Sequence, residues 1–293
     1  MSTRGTQFSR RSFLHGTAAA GLTLAARSGR AAPALARWPF YSFDNGVASL
    51  PNMADKCRLL KDLGYVGMEL RLNAQELPGN LEQLDKHGLK AMALYAPSWL
   101  EEPLSDELAA CIKLLKGRDT RIEIPIRSRQ KLKPSDPVGD EQALTLLKAA
   151  SDLCGDNGPT LSVYPHTWFW TERTEDGLRL ARKIQRRNVG TNFNLVHWQW
   201  VKPSPALPGL LAEALPHLFL VTINGLKGPE DSRQEIRPLD DSDYDLQGFL
   251  RILDASGYRG PVGLQCYKVA EPSEVHLKRS MAVWRKLTAA IGP

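Results

Sequence analysis

Short apolar segments alternate with amphipathic segments along most of the chain. Eight segments of seven to nine residues are apolar or alternate apolar and polar residues, as β-strands do. They lie at 37–43, 65–72, 89–96, 120–127, 159–166, 188–196, 218–224 and 260–267. The segments between them repeat apolar residues at helical spacing, as in EQALTLLKAASDLCG, and several end at Gly or Asn. These endings are typical of helix C-termini, so the pattern predicts alternating strands and helices.

The number of these units and the chain length predict the fold class. Residues 37–293 amount to 257 residues, close to the usual size of one (β/α)8 barrel. An open, doubly wound parallel sheet is the alternative, but no glycine-rich phosphate loop follows a strand. We therefore expect an α/β protein with a single (β/α)8 TIM barrel over residues 37–293.

Residues 1–36 have a different character and are excluded from the barrel. They contain five arginines and no acidic residue, and SRRSFL at 9–14 carries a twin arginine. A short run rich in Ala and Gly follows, and Ala34-Leu35-Ala36 provides the small residues that signal peptidase requires. The apolar run is too short to span a bilayer. The segment predicts a twin-arginine (Tat) signal peptide and a periplasmic protein.

The net positive charge of the chain comes from this first segment. The whole chain has 38 basic and 32 acidic residues, and without the five arginines 33 basic residues face 32 acidic ones. A nearly neutral domain gives no support for nucleic acid or anionic lipid as a partner. A small-molecule partner is therefore expected.

The four cysteines are predicted to be buried free thiols. Cys57, Cys111, Cys154 and Cys266 lie far apart and show no metal-binding spacing. Three fall in helical segments and one in a strand segment. Twin-arginine substrates fold in the reducing cytoplasm before export, which disfavours disulfides.

Strand parity predicts which side chains point into the barrel, because successive residues face opposite sides of a strand. The apolar set of each strand packs against helices and leaves a second set to face inward. That inward set comprises Glu69, Arg71, Ala91, Ala93, Tyr95, Glu123, Arg127, Ser162, Tyr164, His166, Asn192, Asn194, Thr222, Asn224, Gly263, Gln265 and Tyr267. Its polar members lie near the C-terminal ends of their strands, where such barrels place their active sites.

Several motifs resemble a known family. YPHTWFW, TNFNLVHW, TINGLKG and GPVGLQCY are similar to segments of the xylose isomerase-like TIM barrels, which include sugar phosphate isomerases and epimerases. The resemblance covers roughly residues 37 to 290, and an exported branch of the family is the most similar. It implies the barrel fold and chemistry on a sugar. His197, in the NLVH motif, matches a substrate-contacting histidine of the epimerases.

The resemblance also implies a metal site, from which this chain departs. Metal-using members hold a divalent cation with a Glu, an Asp, a His and a Glu that follow strands five to eight. The matching positions here are Tyr164, Asn194, Thr222 or Asn224, and Gln265. Neutral amides do not offset the cost of dehydrating a divalent ion, whereas they exchange hydrogen bonds with hydroxyl and carbonyl groups. We therefore expect a neutral, polyhydroxylated ligand and no metal cofactor.

A rearranged divalent metal shell is the alternative, formed by His166, His197, Glu69 or Glu123. The same four residues are the candidate catalytic groups, since proton transfer at neutral pH requires a base of suitable pKa. The candidate substrate-binding residues are Tyr95, Tyr164, Asn194, Trp198, Asn224 and Gln265. A purely structural role is the alternative for the glutamates, which could form ion pairs with Arg71 and Arg127.

Three functions are compatible with these residues. The first is an isomerase-like enzyme that transfers a proton next to a sugar carbonyl, in epimerisation, isomerisation or β-elimination of a keto-sugar or keto-glycoside. The second is a hydrolase of modified glycosides with Glu69 and Glu123 as acid and base, which requires a defined separation of the two carboxyl groups. The third is a carbohydrate-binding barrel without catalytic activity.

Overall fold

The computed structural model describes residues 37–130, 132–155 and 158–292, so the expected signal peptide at 1–36 lies outside the described residues. Eight parallel strands close into a barrel, each paired with the strand before and after it in the chain. Their bounds are β1 Phe40–Ser42, β2 Gly67–Arg71, β3 Lys90–Tyr95, β4 Arg121–Ile124, β5 Thr160–Val163, β6 Val189–Asn194, β7 Leu218–Ile223 and β8 Val262–Leu264. The barrel closes where β1 pairs with β8, with Tyr41 opposite Gly263. The predicted (β/α)8 fold is confirmed.

Nine α-helices in the described part of the chain cover the barrel or its mouth. They are α1 Met53–Leu63, α2 Leu77–Lys86, α3 Asp106–Leu114, α4 Asp140–Cys154, α5 Thr174–Ile184, α6 Leu195–Trp200, α7 Leu207–Ala214, α8 Leu246–Ala255 and α9 Ser273–Ala289. Local sequence sets several of their ends. The side chain of Asn52 caps the first turn of α1, which ends at Gly64 with a left-handed φ of 90°. No helix among the described residues is long and apolar enough to cross a membrane.

The buried apolar residues of the described chain form two clusters. The larger one lies between the strands and the helices, and a smaller one inside the barrel contains Tyr41, Phe43, Met92, Ala93, Tyr164 and Leu220. The inner set differs from the parity prediction in β3, where Ala91 packs with the outer cluster. Met68 pairs with Ala91 and Glu69 pairs with Ala93, so Met92 is an extra residue in a bulge that shifts the alternation by one position.

The cysteines behave as the sequence predicted. Cys57, Cys111, Cys154 and Cys266 are all free and buried. Burial raises the pKa of the Cys57 thiol to about 11 and that of Cys154 to about 12. These thiols are therefore protonated at neutral pH and act as core residues.

The C-terminal mouth of the barrel carries additional short elements. Ser98–Trp99 pairs with Ile126–Arg127 after β3 and β4, and Gly225–Lys227 pairs with Glu235–Arg237 in a hairpin after β7. The sixth strand was predicted to reach residue 196, but it ends at Asn194, whose side-chain oxygen accepts the backbone N–H of His197. This cap starts α6, so His197 lies on a helix and not on a strand.

Candidate active site at the barrel mouth

A cavity of about 570 Å³ opens at the C-terminal ends of the strands. This volume falls in the range of small-molecule sites and is much larger than a single ion needs. Its lining contains six of the ten predicted site residues: Glu69, Tyr95, Tyr164, His166, His197 and Gln265. The barrel-mouth location expected from strand parity therefore agrees with the structure.

The other four predicted residues do not line this cavity. Glu123 and Asn194 are buried below it, in contact with residues that do line it. Asn224 is buried and donates to the carbonyl oxygen of Gly225 at 2.7 Å. Trp198, in α6, donates from its indole nitrogen to the carbonyl oxygen of Pro205 at 3.0 Å, in the loop that follows this helix. Asn194, Asn224 and Trp198 thus use these groups in contacts within the protein, and their contact with a substrate stays a prediction.

Hydrogen bonds connect the side chains at three of the four positions that correspond to metal ligands. The Nδ2 group of Asn194 donates to the Tyr164 hydroxyl oxygen at 2.6 Å and to Gln265 Oε1 at 3.0 Å. Its Oδ1 accepts the backbone N–H of His197 at 3.1 Å, so the polar atoms of the Asn194 side chain are all engaged. Tyr164 keeps its hydroxyl hydrogen and Gln265 keeps its Nε2 group for a ligand in the cavity.

These residues do not fit a divalent cation. Asn194 points both its N–H groups at the neighbours with which it would have to share an ion. None of the three side chains is a carboxylate, and at the fourth position both Thr222 and Asn224 are neutral. Among the described residues, no group of three or more His, Cys, Asp and Glu is arranged to hold a metal, so the alternative shell of His166, His197, Glu69 and Glu123 is not formed.

A single residue, Thr167, sets the tautomers of both histidines. Its carbonyl oxygen lies 2.9 Å from His166 Nδ1 and can only accept, so that nitrogen carries the proton and Nε2 has a free lone pair. Its backbone N–H and hydroxyl approach His197 Nδ1 at 3.4 and 2.9 Å. Because an N–H can only donate, His197 Nδ1 accepts and Nε2 carries the proton. His166 therefore presents a base, and His197 presents a hydrogen-bond donor that has no partner among the residues that the structure describes.

Both imidazoles are held neutral. Burial lowers the pKa of His197 well below its usual value, and nearby His166 and Arg233 lower it further. Burial also lowers the pKa of His166, and Arg127 and Arg233 act in the same direction, partly offset by the Thr167 carbonyl. Because its pKa is lowered, His166 is neutral at neutral pH and can act as a base there. A neutral His197 can polarise a carbonyl oxygen without losing its proton.

Glu69 and Glu123 form a buried carboxyl pair. Their carboxyl groups lie within reach of one hydrogen bond when either of them is protonated, and Asn192 Nδ2 donates to Glu123 Oε1 at 2.6 Å. Ser162 orients Asn192 by donating to its Oδ1. Burial raises the pKa of Glu123 to about 7. Burial and the charge of Glu123 raise the pKa of Glu69 well above its usual value. Glu69 is therefore the member that keeps a proton at neutral pH, and it is the member that lines the cavity.

This pairing replaces the ion pairs that were the structural alternative for the glutamates. Arg71 Nε donates to Asp44 at 2.6 Å, and Arg127 stacks on Phe169. The pairing also disfavours the glycoside hydrolase. Glycosidases separate their two carboxyl groups by about 5–5.5 Å or by about 6.5–9.5 Å, to admit a sugar carbon or a water. Two carboxyl groups in mutual hydrogen-bond contact leave no such space.

The carboxyl pair predicts an unusual pH dependence of stability. The pKa of Glu123 is raised in the folded protein, so its contribution is complete below about pH 4.5 and is lost as pH rises through about 7. We expect the free energy of unfolding of wild type to fall between pH 5 and 8, relative to Glu123→Gln, by up to about 3 kcal/mol. The measurement is urea unfolding of both proteins at the two pH values.

The difference between the two proteins is the informative quantity. Both histidines have lowered pKa values, so their contributions decline as pH falls below about 6.5 and cancel in the comparison. Glu213→Gln, at an exposed ion pair with Arg182, controls for the loss of a surface carboxylate. Parallel pH profiles for wild type and Glu123→Gln would contradict the proton-holding pair.

The cavity wall contains residues that sequence reasoning did not assign to the site. Phe169 stacks on His166 at 4.0 Å between ring centroids, His166 lies 4.3 Å from His197, and Trp200 meets His197 edge-on at 5.7 Å. We call Phe169, His166, His197 and Trp200 the aromatic wall. The segments TWFW and WQW around the histidines were the available signal, but periodicity does not distinguish a cavity wall from rim packing.

An eight-stranded parallel barrel with a polar cavity at its C-terminal mouth defines a (β/α)8 protein with an enzyme-like site. The sequence model of the xylose isomerase-like TIM barrel family matches residues 57–287. The chain belongs to this family, as its motifs suggested. No curated protein matches the sequence significantly.

Solved structures agree with the family assignment at the level of the fold. The apo form of 3-keto-D-glucoside 4-epimerase, YcjR, from E. coli is 15% identical over 85% of this chain and 99% of its own, with a TM-score of 0.67. The IOLI protein with a zinc atom is 17% identical over 86% and 97%, with a TM-score of 0.66. D-allulose 3-epimerase from Methylomonas sp. is 12% identical over 86% and 98%, also with a TM-score of 0.66.

Proposed function

We propose that this protein catalyses proton transfer next to the carbonyl group of a keto-sugar or keto-glycoside, and that epimerisation is its reaction. The observation that carries the proposal is the pair of neutral imidazoles at the cavity, which Thr167 fixes in opposite tautomers. One histidine has a free lone pair and its neighbour has a free N–H. Enolisation requires a base for the carbon-bound proton and a donor for the developing oxyanion.

The residues take the following roles in the reaction. His166 Nε2 removes the proton from the carbon next to the carbonyl group. His197 Nε2–H donates to the carbonyl oxygen as it gains negative charge, and the Tyr164 hydroxyl and Gln265 Nε2 are further donors at the same cavity. Burial raises the pKa of Tyr164 well above its usual value, so its hydroxyl hydrogen is retained.

Glu69 supplies the second proton-transfer group that epimerisation needs. Inversion at carbon removes a proton on one face and returns one on the other, so two groups must flank the substrate. Glu69 lies in the middle of β2 and His166 follows β5, and β3 and β4 separate these two strands in the barrel. Glu69 holds a proton at neutral pH and can deliver it to the second face of the substrate carbon. The step leaves a Glu69 carboxylate and a His166 imidazolium, and proton exchange with solvent returns both groups to their starting states. Isomerisation uses the same base but returns the proton at a neighbouring atom, and β-elimination expels a leaving group instead.

Solvent deuterium exchange tests this proposal. Keto-hexoses and 3-keto-glycosides are incubated with the protein in D₂O, and NMR follows deuterium at the carbon next to the carbonyl and the configuration of the product. Exchange with a changed configuration supports epimerisation. Binding of these sugars without exchange would point to the non-catalytic carbohydrate-binding barrel, and loss of the aglycone would point to β-elimination.

We also propose that the reaction proceeds without a divalent metal. The support is the hydrogen-bonded set of Tyr164, Asn194 and Gln265 at positions where metal-using relatives carry ligands. We expect protein purified without added ions to contain well under one equivalent of divalent metal. Its melting temperature should not respond to EDTA or to added Mn²⁺, because only an ion that binds the native state stabilises it. Stoichiometric metal by elemental analysis would overturn this expectation.

We further propose that the protein acts in the periplasm after twin-arginine export. The support is the sequence of residues 1–36, with Arg10 and Arg11 ahead of a short apolar run. Arg10→Lys with Arg11→Lys is expected to leave unprocessed precursor in the cytoplasm, as cell fractionation would show. Arg27→Lys, outside the motif, is the matched control. Normal export of the double variant would contradict the assignment.

A further inference from the structure

The cavity is lined by more cations than its proposed chemistry requires. Arg71, Arg127, Arg233 and Lys268 line it, whereas Glu69 is its one acidic lining residue among those that the structure describes. Arg71 is neutralised by Asp44 at 2.6 Å. Within the described ranges, the other three cations have no carboxylate within 4 Å. Even an ionised Glu69 would add one negative charge against these three cations, so the lining of the cavity carries a net positive charge.

Arg127 lies at one end of the aromatic wall. Its guanidinium carbon is 4.2 Å from the centroid of Phe169, and His166 stacks on the same ring at 4.0 Å. Two groups at these distances cannot share one face of a ring, so Arg127 and His166 lie on opposite faces of Phe169. Stacking covers the guanidinium plane but leaves its N–H edge free. Among residues 37–130, 132–155 and 158–292, no acceptor binds this edge and the buried Nε has no partner.

Arg233 lies at the other end of the wall. Its guanidinium is 3.9 Å from the Trp200 ring and 4.1 Å from the Trp168 ring, so both of its faces are covered by indoles. The loop that carries Arg233 is hydrogen-bonded to α6, because Gln199 donates to the carbonyl oxygens of Glu230 and Ser232. The charge is therefore held at the cavity rim and does not depend on an ion pair for its position.

We propose that the substrate carries a carboxylate group, which Arg127 binds through its N–H edge, while Arg233 and Lys268 add positive charge at the rim. This inference rests on the proposed function, whose keto-sugar it defines as a sugar acid. It replaces the neutral ligand that the sequence favoured. A guanidinium edge matches the two oxygens of a carboxylate, and charge-assisted hydrogen bonds of this kind are about twice as strong as neutral ones.

A carboxylate fits this cavity better than a phosphate does. Phosphate sites of such barrels form after strands seven and eight, at the N-terminus of a short additional helix. Here β7 is followed by the hairpin of Gly225–Lys227 and Glu235–Arg237. After β8 ends at Leu264, the next helix in the described chain begins at Ser273. The positive charge is instead carried by single guanidinium groups, of which Arg127 is separated from the base His166 by the Phe169 ring.

Calorimetry with paired ligands tests the proposal without requiring turnover. The probes are methyl glycosides of glucuronic, galacturonic and mannuronic acid, each compared with its uronamide, which has the same shape without the charge. We expect at least one acid to bind about 10- to 100-fold more tightly than its amide, the range expected for a charged hydrogen-bonding group. Absence of an acid preference throughout the panel overturns the proposal, as does tighter binding of the corresponding hexose 6-phosphate.

Three variants locate the effect. Arg127→Gln is expected to abolish the preference for acid over amide, and Arg127→Lys to restore part of it by charge alone. Arg233→Gln, at an exposed position, should reduce the preference to a smaller extent. Arg129→Gln is the matched control, because Arg129 stacks on Trp99 and pairs with Glu102 but does not line the cavity. An acid preference that survives Arg127→Gln contradicts the assignment of Arg127.

The same ligands separate this inference from the proposed function. A uronate that binds with the expected preference, but whose keto derivative exchanges no deuterium, would contradict proton transfer and leave the carboxylate subsite supported. Deuterium exchange into neutral keto-sugars, together with equal affinity for acids and amides, would support proton transfer and contradict the carboxylate subsite.

Discussion

His166→Gln is expected to lower the rate of deuterium exchange by about 10²–10⁴-fold, the usual contribution of one positioned acid or base. Glutamine preserves much of the side-chain volume and a hydrogen bond to the Thr167 carbonyl, but an amide has no basic lone pair. Ligand affinity should change much less than turnover. The readout is kcat from NMR-detected exchange, with the melting temperature as a check of folding.

The pH profile provides a second readout for His166. In wild type, the acidic limb of kcat/KM should lie below pH 6.5, because burial and the two arginines lower the pKa of this imidazole. The alkaline limb should follow the loss of the Glu69 proton, because burial and the charge of Glu123 raise the pKa of Glu69 well above its usual value. Residual activity in His166→Gln that still showed the same acidic limb would identify another base.

His197 is expected to respond differently to the same substitution. His197→Leu removes the N–H that stabilises the oxyanion, and should reduce turnover by about 10²–10³-fold. His197→Gln places an amide N–H near the position of Nε2 and should recover most of that loss, because a donor, and not a base, is needed there. Equal losses in the Leu and Gln variants would contradict the donor role.

The two glutamine variants together distinguish the two histidines. A severe loss at position 166 with a mild loss at position 197 is the pattern that the tautomers predict. Full turnover in both variants would move the role of base to the Glu69–Glu123 pair. A severe loss in both variants, with unchanged melting temperatures, would mean that His197 itself transfers a proton.

Strand parity located the site because, in a barrel, the direction of each side chain follows from its position in its own strand. Once a strand packs its apolar residues against helices, the alternate residues must face inward, and all eight strands point their C-terminal ends at one mouth. Glu69, Tyr164 and Gln265 follow directly from this rule. Parity failed at the bulge of Met92 in β3, where the backbone departs from regular geometry. The predicted end of the sixth strand was also wrong, because the Asn194 cap starts α6 at Leu195.

The chemical roles required contacts between residues far apart in the chain. The sequence showed two histidines, but their difference arises because Thr167 offers a carbonyl to one and an N–H to the other. It showed two glutamates beside two arginines, and nothing local indicated that Glu69 would pair with Glu123, 54 positions away and two barrel strands apart. Arg233 was not singled out, because it belongs to a loop whose fold depends on Gln199 of α6.

Hydrophobic periodicity and short motifs specified the barrel, the family, the buried thiols and the face that carries the site, because they encode burial and strand direction. Contacts between distant residues decide which polar groups face a ligand and which face each other. Asn194 illustrates this division, since its parity is correct but its hydrogen-bonding groups are used by Tyr164, Gln265 and the backbone of His197. Protonation and hydrogen-bond direction depend on neighbours in space, and periodicity along a chain carries no record of them.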